Sequence, residues 1–388
     1  MKIAFFTDTF FPKIDGVVIS TIHLAKGLAD KGHKVLIFAP RYEEKEEFKY
    51  KNVKVVRIAS MPSFIYPGLK MSTPLSIKTL RTVIKEKPDI IHFQITMTLG
   101  MQAIIIAKLL GIPLVGTFHT LIAHPHYLEH LGFSHSYLQR LSWAFTRAFY
   151  NRCNLVSTPS ENTRKELVSH DFKNVIALSN GVDLTVFSNK NWKKVRNVFN
   201  ARGKILLFVG RVAHEKNILY LVDCFKLVHD KIPETKLVVI GDGPQMSHLK
   251  QKVKKLGLEK NVIIKGAISH DKLVKSSIFK AVDLFVTAST TETEGITLLE
   301  AQANGLACVA VDAGGTGNLI RNNYNGLLAR DEDKKGFANA VIKIISNDSL
   351  RARLGKNALL NIKKYSIPRI IAQWEKIYKN LLEKAKSS

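Results

Sequence analysis

Asp283-Leu-Phe-Val-Thr-Ala-Ser289 runs, two residues later, into Glu292-Thr-Glu-Gly295-Ile-Thr-Leu-Leu-Glu300-Ala301. The first stretch is short, apolar and rich in β-branched and aromatic residues, as a buried strand is. The second places apolar residues at helical spacing after a glycine. Two carboxylates eight positions apart, Glu292 and Glu300, therefore stand where a strand hands over to a helix. Open α/β sheets bind ligands at that carboxyl end of the strands. A free helix N-terminus favours phosphate, and carboxylates accept hydrogen bonds from sugar hydroxyls. The junction predicts a parallel α/β fold and suggests a nucleotide-sugar site.

Outward from that junction the same alternation recurs, the signature of parallel βαβ units. The first half offers Ile3-Ala-Phe-Phe, Val35-Leu-Ile-Phe, Val53-Lys-Val-Val, Ile90-Ile-His-Phe, Leu114-Val-Gly-Thr-Phe and Leu155-Val-Ser-Thr. A polar, basic stretch between Ser188 and Lys204 interrupts the rhythm. It restarts with Ile205-Leu-Leu-Phe-Val, Leu237-Val-Val-Ile, Val262-Ile-Ile, Leu284-Phe-Val and Cys308-Val-Ala-Val. Two such sets in 388 residues predict two Rossmann-like domains, over 1–190 and 200–365, with a linker near residue 190. The closing segment carries Ile370, Ile371, Trp374, Ile377, Tyr378, Leu381 and Leu382 on one helical face. A helix over 368–388 must bury that stripe on a domain.

No apolar run approaches the roughly 18–20 residues of a membrane span. Met1-Lys-Ile-Ala-Phe-Phe-Thr-Asp8 meets an acid before a signal-peptide core could form, and reads as a first buried strand. Three scattered cysteines (Cys153, Cys224, Cys308) fit a reducing cytoplasm without a disulfide framework. The formal net charge is +26. Such a surplus implies an anionic partner (nucleic acid, acidic membrane or phosphorylated substrate), unless the whole proteome is basic. The excess is uneven: ten Lys/Arg face two acids from Arg351 to Ser388, and eight face two from Lys51 to Gly100. No RNA-binding or zinc-finger pattern accompanies it, so nucleic acid is not expected as a partner.

Gly210-Arg211-Val-Ala-His-Glu-Lys216 follows the first strand of the second half and sets two cations where a diphosphate would need them. Gly241-Asp242-Gly243-Pro244 and Asn180-Gly181-Val182-Asp183 read as strand-end turns. Asp331-Glu-Asp333 looks like a metal-holding Asp-x-Asp, but its place before a helical pattern favours helix-capping acids. His126-Tyr-Leu-Glu129-His130, within a run of five histidines from His119 to His135, has the spacing of a zinc peptidase. Its position between two apparent strands, beside Pro125 and without an obvious third ligand, favours a loop near the acceptor or the domain cleft. No metal and no cofactor are expected.

The chain resembles the family-4 retaining glycosyltransferases of the GT-B fold through nearly its whole length. The resemblance is carried by Phe11-Pro12…Gly16-Val17-Val18, Gly32-His33-Lys34-Val35 and Thr117-Phe118-His119-Thr120 in the first half. Asn180-Gly181-Val182-Asp183, Gly210-Arg211…Lys216 and Glu292…Glu300-Ala301 with Gly305 carry it onward. It implies two Rossmann-like domains facing a central cleft, with the C-terminal helix packed back on the N-terminal domain. It also implies roles: Arg211 and Lys216 on the donor diphosphate, Glu300 on the ribose, and Glu292 on the transferred sugar, with Gly295 and Ile296 at the helix start. His119 would lie beside the sugar from the other domain, and Gly16 would let backbone approach the phosphate. Many relatives carry an acid two residues after a glycine pair; here Gly314-Gly315-Thr316-Gly317-Asn318 has an amide.

Two basic, aromatic segments address the acceptor. Residues 134–153 hold no acid and include Arg140, Trp143 and Arg147; residues 63–87 include Lys78 and Arg81. Both suit the interface of an anionic membrane. The competing reading of the first puts Tyr137, Leu141, Trp143 and Phe145 in the core. The wording of the first loop and of Thr117-Phe-His-Thr is most similar to the membrane-glycolipid branch, whose best-known members move glucose from UDP-glucose to diacylglycerol. The resemblance thus implies a peripheral enzyme on the inner face of the cell membrane, with a nucleotide-sugar donor and a lipid acceptor. A polysaccharide or teichoic-acid-type acceptor is the alternative within the same family.

Overall fold

The structure, a computed structural model, describes residues 1–43, 47–62, 70–73, 76–119, 136–187, 190–200 and 202–387. It divides into two compact units, Met1–Asn180 with Ile367–Ser388, and Gly181–Ser366.

In the first unit seven strands form one parallel sheet: β1 (Lys2–Phe6), β2 (Lys34–Pro40), β3 (Val53–Ile58), β6 (Ile90–Phe93), β7 (Leu114–Thr117), β8 (Leu155–Thr158) and β9 (Val175–Ala177). Their order is β3-β2-β1-β6-β7-β8-β9, and β4 (Ser60–Pro62) with β5 (Lys70–Ser72) makes a separate antiparallel pair. Alternate residues of a strand point to opposite faces, so each strand feeds two cores. Ala4, Phe6, Leu36, Phe38, Ile91 and Phe93 build one, under helices Ile77–Glu86, Thr98–Leu110 and Ser136–Tyr150. Ile3, Phe5, Val35, Ile37, Ile90 and Val115 build the other, under helices Gly16–Asp30 and Ile367–Ser387.

The C-terminal helix thus packs back on the N-terminal unit. It buries Ile370, Ile371, Trp374 and Tyr378. Each such side chain contributes about 1.5–3 kcal/mol of apolar transfer, an upper bound because unfolded chains already bury some surface. A polar pin fixes its register: the Tyr378 hydroxyl meets His92 Nδ1 at 2.7 Å, and His92 Nε2 meets Thr117 Oγ1 at 2.6 Å. Burial holds His92 neutral, its pKa well below the usual imidazole range.

In the second unit six parallel strands run in the order β12-β11-β10-β13-β14-β15. They are β10 (Ile205–Val209), β11 (Lys236–Ile240), β12 (Val262–Gly266), β13 (Leu284–Thr287), β14 (Cys308–Val311) and β15 (Gly326–Ala329). Sequence order reverses between β10 and β13, and a doubly wound sheet opens its crevice at that switch point. The polar stretch expected to be a linker near residue 190 belongs instead to this unit, whose boundary falls at Asn180/Gly181. There Trp192–Asn197 is helical, and Arg196 ties it down, donating to Asp283 Oδ2 and the Ala281 carbonyl, both at 2.9 Å, and to the Gly203 carbonyl. Among the described residues no helix is long and apolar enough to cross a membrane.

Candidate active site

The loops that follow β10 and β13 leave neighbouring strands on the same edge of the second sheet. The first carries Gly210 and Arg211, then a short turn, His214–Lys216. The second carries Glu292 and ends at Gly295, which caps helix Ile296–Ala303 with φ +95°, a left-handed conformation that suits glycine. Adjacency brings Lys216 and Glu292 together: Nζ lies 2.5 Å from Oε1, with both side chains about four-fifths buried. Arg211 stands more open, 43% exposed, with its guanidinium 3.9 Å from Glu215 Oε1. The buried Glu215 backbone locks the two loops, its carbonyl accepting from the hydroxyls of Ser289 (3.0 Å) and Thr291 (3.2 Å).

Two glycine-bearing turns support these loops from behind. Gly241, at φ +142°, lies so close to the Gly210 carbonyl oxygen that a Cβ there would stand 1.8 Å from it. The Val212 amide donates to the Asp242 carbonyl, and the Gln245 amide to the Val212 carbonyl. The turn read from sequence as architecture is therefore the floor of the Arg211 loop. Gly314, at φ +50°, would carry a Cβ 2.4 Å from the Glu292 carbonyl oxygen, and the Gly315 amide donates to that same oxygen at 2.6 Å. The glycine pair supports the Glu292 backbone whatever residue follows at Asn318.

Glu300 lies on the helix after Gly295 and is 2% exposed. Its Oε1 is 2.5 Å from Nε2 of His270, and its buried Oε2 has no hydrogen-bond partner among the described residues. His270 starts the helix that follows β12. Burial works to lower its pKa, but the Glu300 carboxylate, through the hydrogen bond and its charge, holds it above the usual imidazole value. Sequence reading missed His270, because a single histidine in no motif gives no signal.

In the first unit, Gly16 opens helix Gly16–Asp30, capped by Asp15 Oδ1, which accepts from the Val18 amide at 2.9 Å. His119 follows β7, and its Nε2 meets Oε1 of Gln94, the residue after β6, at 2.9 Å. Burial pushes the imidazole down to about 4, so it is neutral at physiological pH. With Nε2–H donating to Gln94, Nδ1 is left as the acceptor. Gln94 was not foreseen; it pairs with His119 only through strand adjacency.

Among the acceptor candidates, Trp143 is corrected. It is 7% exposed, its ring stacked on His170 at 4.0 Å and facing Phe172 edge-on, so it belongs to the core. Leu141 and Phe145, which the core reading placed inside, are instead 54% and 52% exposed. Helix phase explains both: Trp143, Thr146 and Tyr150 point to the sheet, and 141 and 145 point away from it. Arg140 is exposed, and Arg147 pairs with Asp171 at 2.9 Å. Lys78 and Arg81 lie exposed on helix Ile77–Glu86. Asp333, from the Asp-x-Asp look-alike, caps helix Lys334–Ile345 through the Gly336 amide. His126–His130 and residues 63–69 lie outside the described residues.

Two units, each a parallel sheet with its loops at the carboxyl ends of the strands, are the architecture of the GT-B fold. Anabaena HepE, solved with UDP-glucose, superposes with a TM-score of 0.78 at 22% identity, covering 98% of this chain and 100% of that one. Residues 14–186 match the model of Glycosyltransferase Family 4, and residues 189–360 that of Glycosyl transferases group 1. The alpha-monoglucosyldiacylglycerol synthase of Streptococcus pneumoniae is 31% identical over 353 residues, 89% of this chain and 78% of that protein. The GDP-mannose-dependent alpha-mannosyltransferase of Corynebacterium glutamicum is 29% identical over 393 residues, 99% of this chain and 88% of that protein. The chain belongs to glycosyltransferase family 4, a family of retaining enzymes.

Proposed function

We propose that this glycosyltransferase moves a hexose, glucose in our reading, from a UDP-linked donor to a membrane lipid such as diacylglycerol, at the inner face of the cell membrane. The observation that carries the lipid acceptor is the outer surface of three helices covering one side of the first sheet. Ile77 and Ile84 stand exposed on the first, Leu109 and Leu110 on the second, Leu141 and Phe145 on the third. Lys78, Arg81, Lys85, Lys108 and Arg140 stand exposed among them. The only acid on the three helices, Glu86, is neutralised by Lys2 and Lys54. Exposed apolar side chains set in cations and lacking free acids suit an anionic bilayer, each surface cation adding about 1 kcal/mol. The Streptococcus pneumoniae relative, named for a glycolipid product, supports the same reading.

On the donor side, Arg211 and Lys216 would take the diphosphate, Glu300 the ribose, and Glu292 a hydroxyl of the transferred sugar. As the glycosidic bond breaks, charge builds on the leaving diphosphate, and fixed cations and amide dipoles meet it without reorganising. Front-face attack by the lipid hydroxyl, with its proton passing to the departing phosphate oxygen on the same face, would then retain configuration. Flotation with vesicles tests the acceptor side. The protein should bind phosphatidylglycerol vesicles, release in high salt, and ignore phosphatidylcholine. The double variant Leu109→Asp/Phe145→Asp should lose vesicle binding yet bind nucleoside diphosphate normally. Full vesicle binding by that variant, or fast turnover of a soluble sugar acceptor without a bilayer, would remove the lipid reading.

A further inference from the structure

Glu300 is a carboxylate almost wholly out of water whose two oxygens are in different states. Oε1 is held by His270 Nε2 at 2.5 Å, and Oε2 is buried without a partner. A buried acceptor left unpaired is costly, so native structures seldom keep one unless a ligand or water completes it. The partner of Oε1 comes from another element: His270 opens the helix after β12, and Glu300 sits one turn into the helix after β13. The histidine ring is 27% exposed and the carboxylate side chain 3%, so His270 stands on the solvent side of the acid.

We propose that His270 is a positioning residue for donor binding: it fixes the Glu300 rotamer and leaves Oε2 aimed as a single acceptor for a ribose hydroxyl. This rests on the donor-site reading given above. An acid held at one oxygen presents the other in a fixed direction, and a charged acceptor binds a hydroxyl more strongly than a neutral one. Without His270 the buried carboxylate would carry two unpaired oxygens and would turn towards any available donor. The consequence falls on binding of the nucleotide, not on the bond-breaking step, because neither residue touches the reacting carbon in this scheme.

The test is a double-mutant cycle on the full chain, with UDP binding read by calorimetry and donor KM and kcat read separately. GDP is run in parallel so that base preference does not mask the result. His270→Leu should weaken UDP binding about tenfold, the scale of one charge-assisted hydrogen bond, and raise donor KM while kcat stays within about twofold. His270→Gln, whose amide can still donate to Oε1, should bind UDP within about threefold of the parent. In a Glu300→Gln background, His270→Leu should cost little more, since residues acting through one another are non-additive. Thermal unfolding of each variant separates folding defects from binding defects, and His270→Gln keeps the test open if His270→Leu is unstable. Equal costs of His270→Leu in both backgrounds, or a loss confined to kcat, would overturn the inference. If Glu300→Gln alone binds UDP and GDP like the parent, the donor-site reading falls first and takes this inference with it.

Discussion

Lys216 and Glu292 form an ion pair in the protein, yet their mutation should move UDP binding in opposite directions. With Nζ 2.5 Å from Oε1 and side chains 22% and 20% exposed, the pair lies between a surface bridge and a buried one. Breaking it by Lys216→Met strands a largely but not fully desolvated carboxylate, which should cost about 1–2 kcal/mol of stability. The larger effect is chemical. Losing a fixed group that meets charge on the leaving diphosphate typically costs about 10²–10³ in rate, equivalent to about 3–4 kcal/mol of transition-state stabilisation. In the proposed donor site, Glu292→Gln removes the carboxylate that would compete with the diphosphate for Lys216, so UDP should bind at least as tightly as to the parent. Transfer should still fall, because the amide holds the sugar hydroxyl less well than the acid. Calorimetric UDP titration with single-turnover transfer, both on folded protein, reads the two effects apart. Transfer by Lys216→Met within about threefold of the parent would exclude a role for Lys216 on the leaving diphosphate, since the expected loss is at least tenfold greater. So would equal weakening of UDP binding by the two variants.

Trp374→Ala should lower stability by about 3–5 kcal/mol, because the ring is 4% exposed and packs on His92 and Tyr378. Denaturant unfolding reads it, and a loss below about 1 kcal/mol would mean that the C-terminal helix is not part of the first core. Asp8 is fully buried; burial pushes its pKa up to about 6, outweighing the hydrogen bonds from the Leu99 amide and Thr98 hydroxyl. The native state therefore keeps a proton that the unfolded chain loses near 3.8, so this group's contribution is complete below that pH and declines as pH rises through about 6. Asp8→Asn should gain stability relative to the parent across that window, by about 3 kcal/mol at most, and parallel pH–stability curves would contradict the shift.

Sequence carried much of the fold because the central strands are continuous apolar runs, as in any sheet covered on both faces. Leu206–Phe208 and Leu284–Val286 show it, and so does the strand-to-helix junction at Gly295. The edge strands were less legible. Val175–Ala177 is three residues long and only partly buried, and Gly326–Ala329 hides in a turn-like context. The site divides in the same way. Arg211, Lys216, Glu292 and Glu300 stood out as candidates because residues just past a strand end, in the loop or in the first turns of the next helix, are read locally. Gln94 and His270 did not, since each is defined by a partner 25 or 30 residues away that only sheet order brings near. Helix Ser136–Tyr150 shows a third limit. It has aromatic or apolar residues on several sides, so periodicity alone could not tell that Trp143 turns inward and Phe145 outward.

Sugar transfer to a membrane lipid can be read directly in one assay. The protein would be incubated with radiolabelled UDP-glucose, UDP-galactose, UDP-N-acetylglucosamine and GDP-mannose in turn, each with vesicles of diacylglycerol and phosphatidylglycerol, and the label counted after organic extraction. Label is expected in the organic phase from UDP-glucose, dependent on diacylglycerol, and in an α-linked product. Label from GDP-mannose alone would keep the lipid acceptor and correct the donor. Label that stays in the aqueous phase with every donor, while a soluble glycan is elongated, would rule out a lipid acceptor.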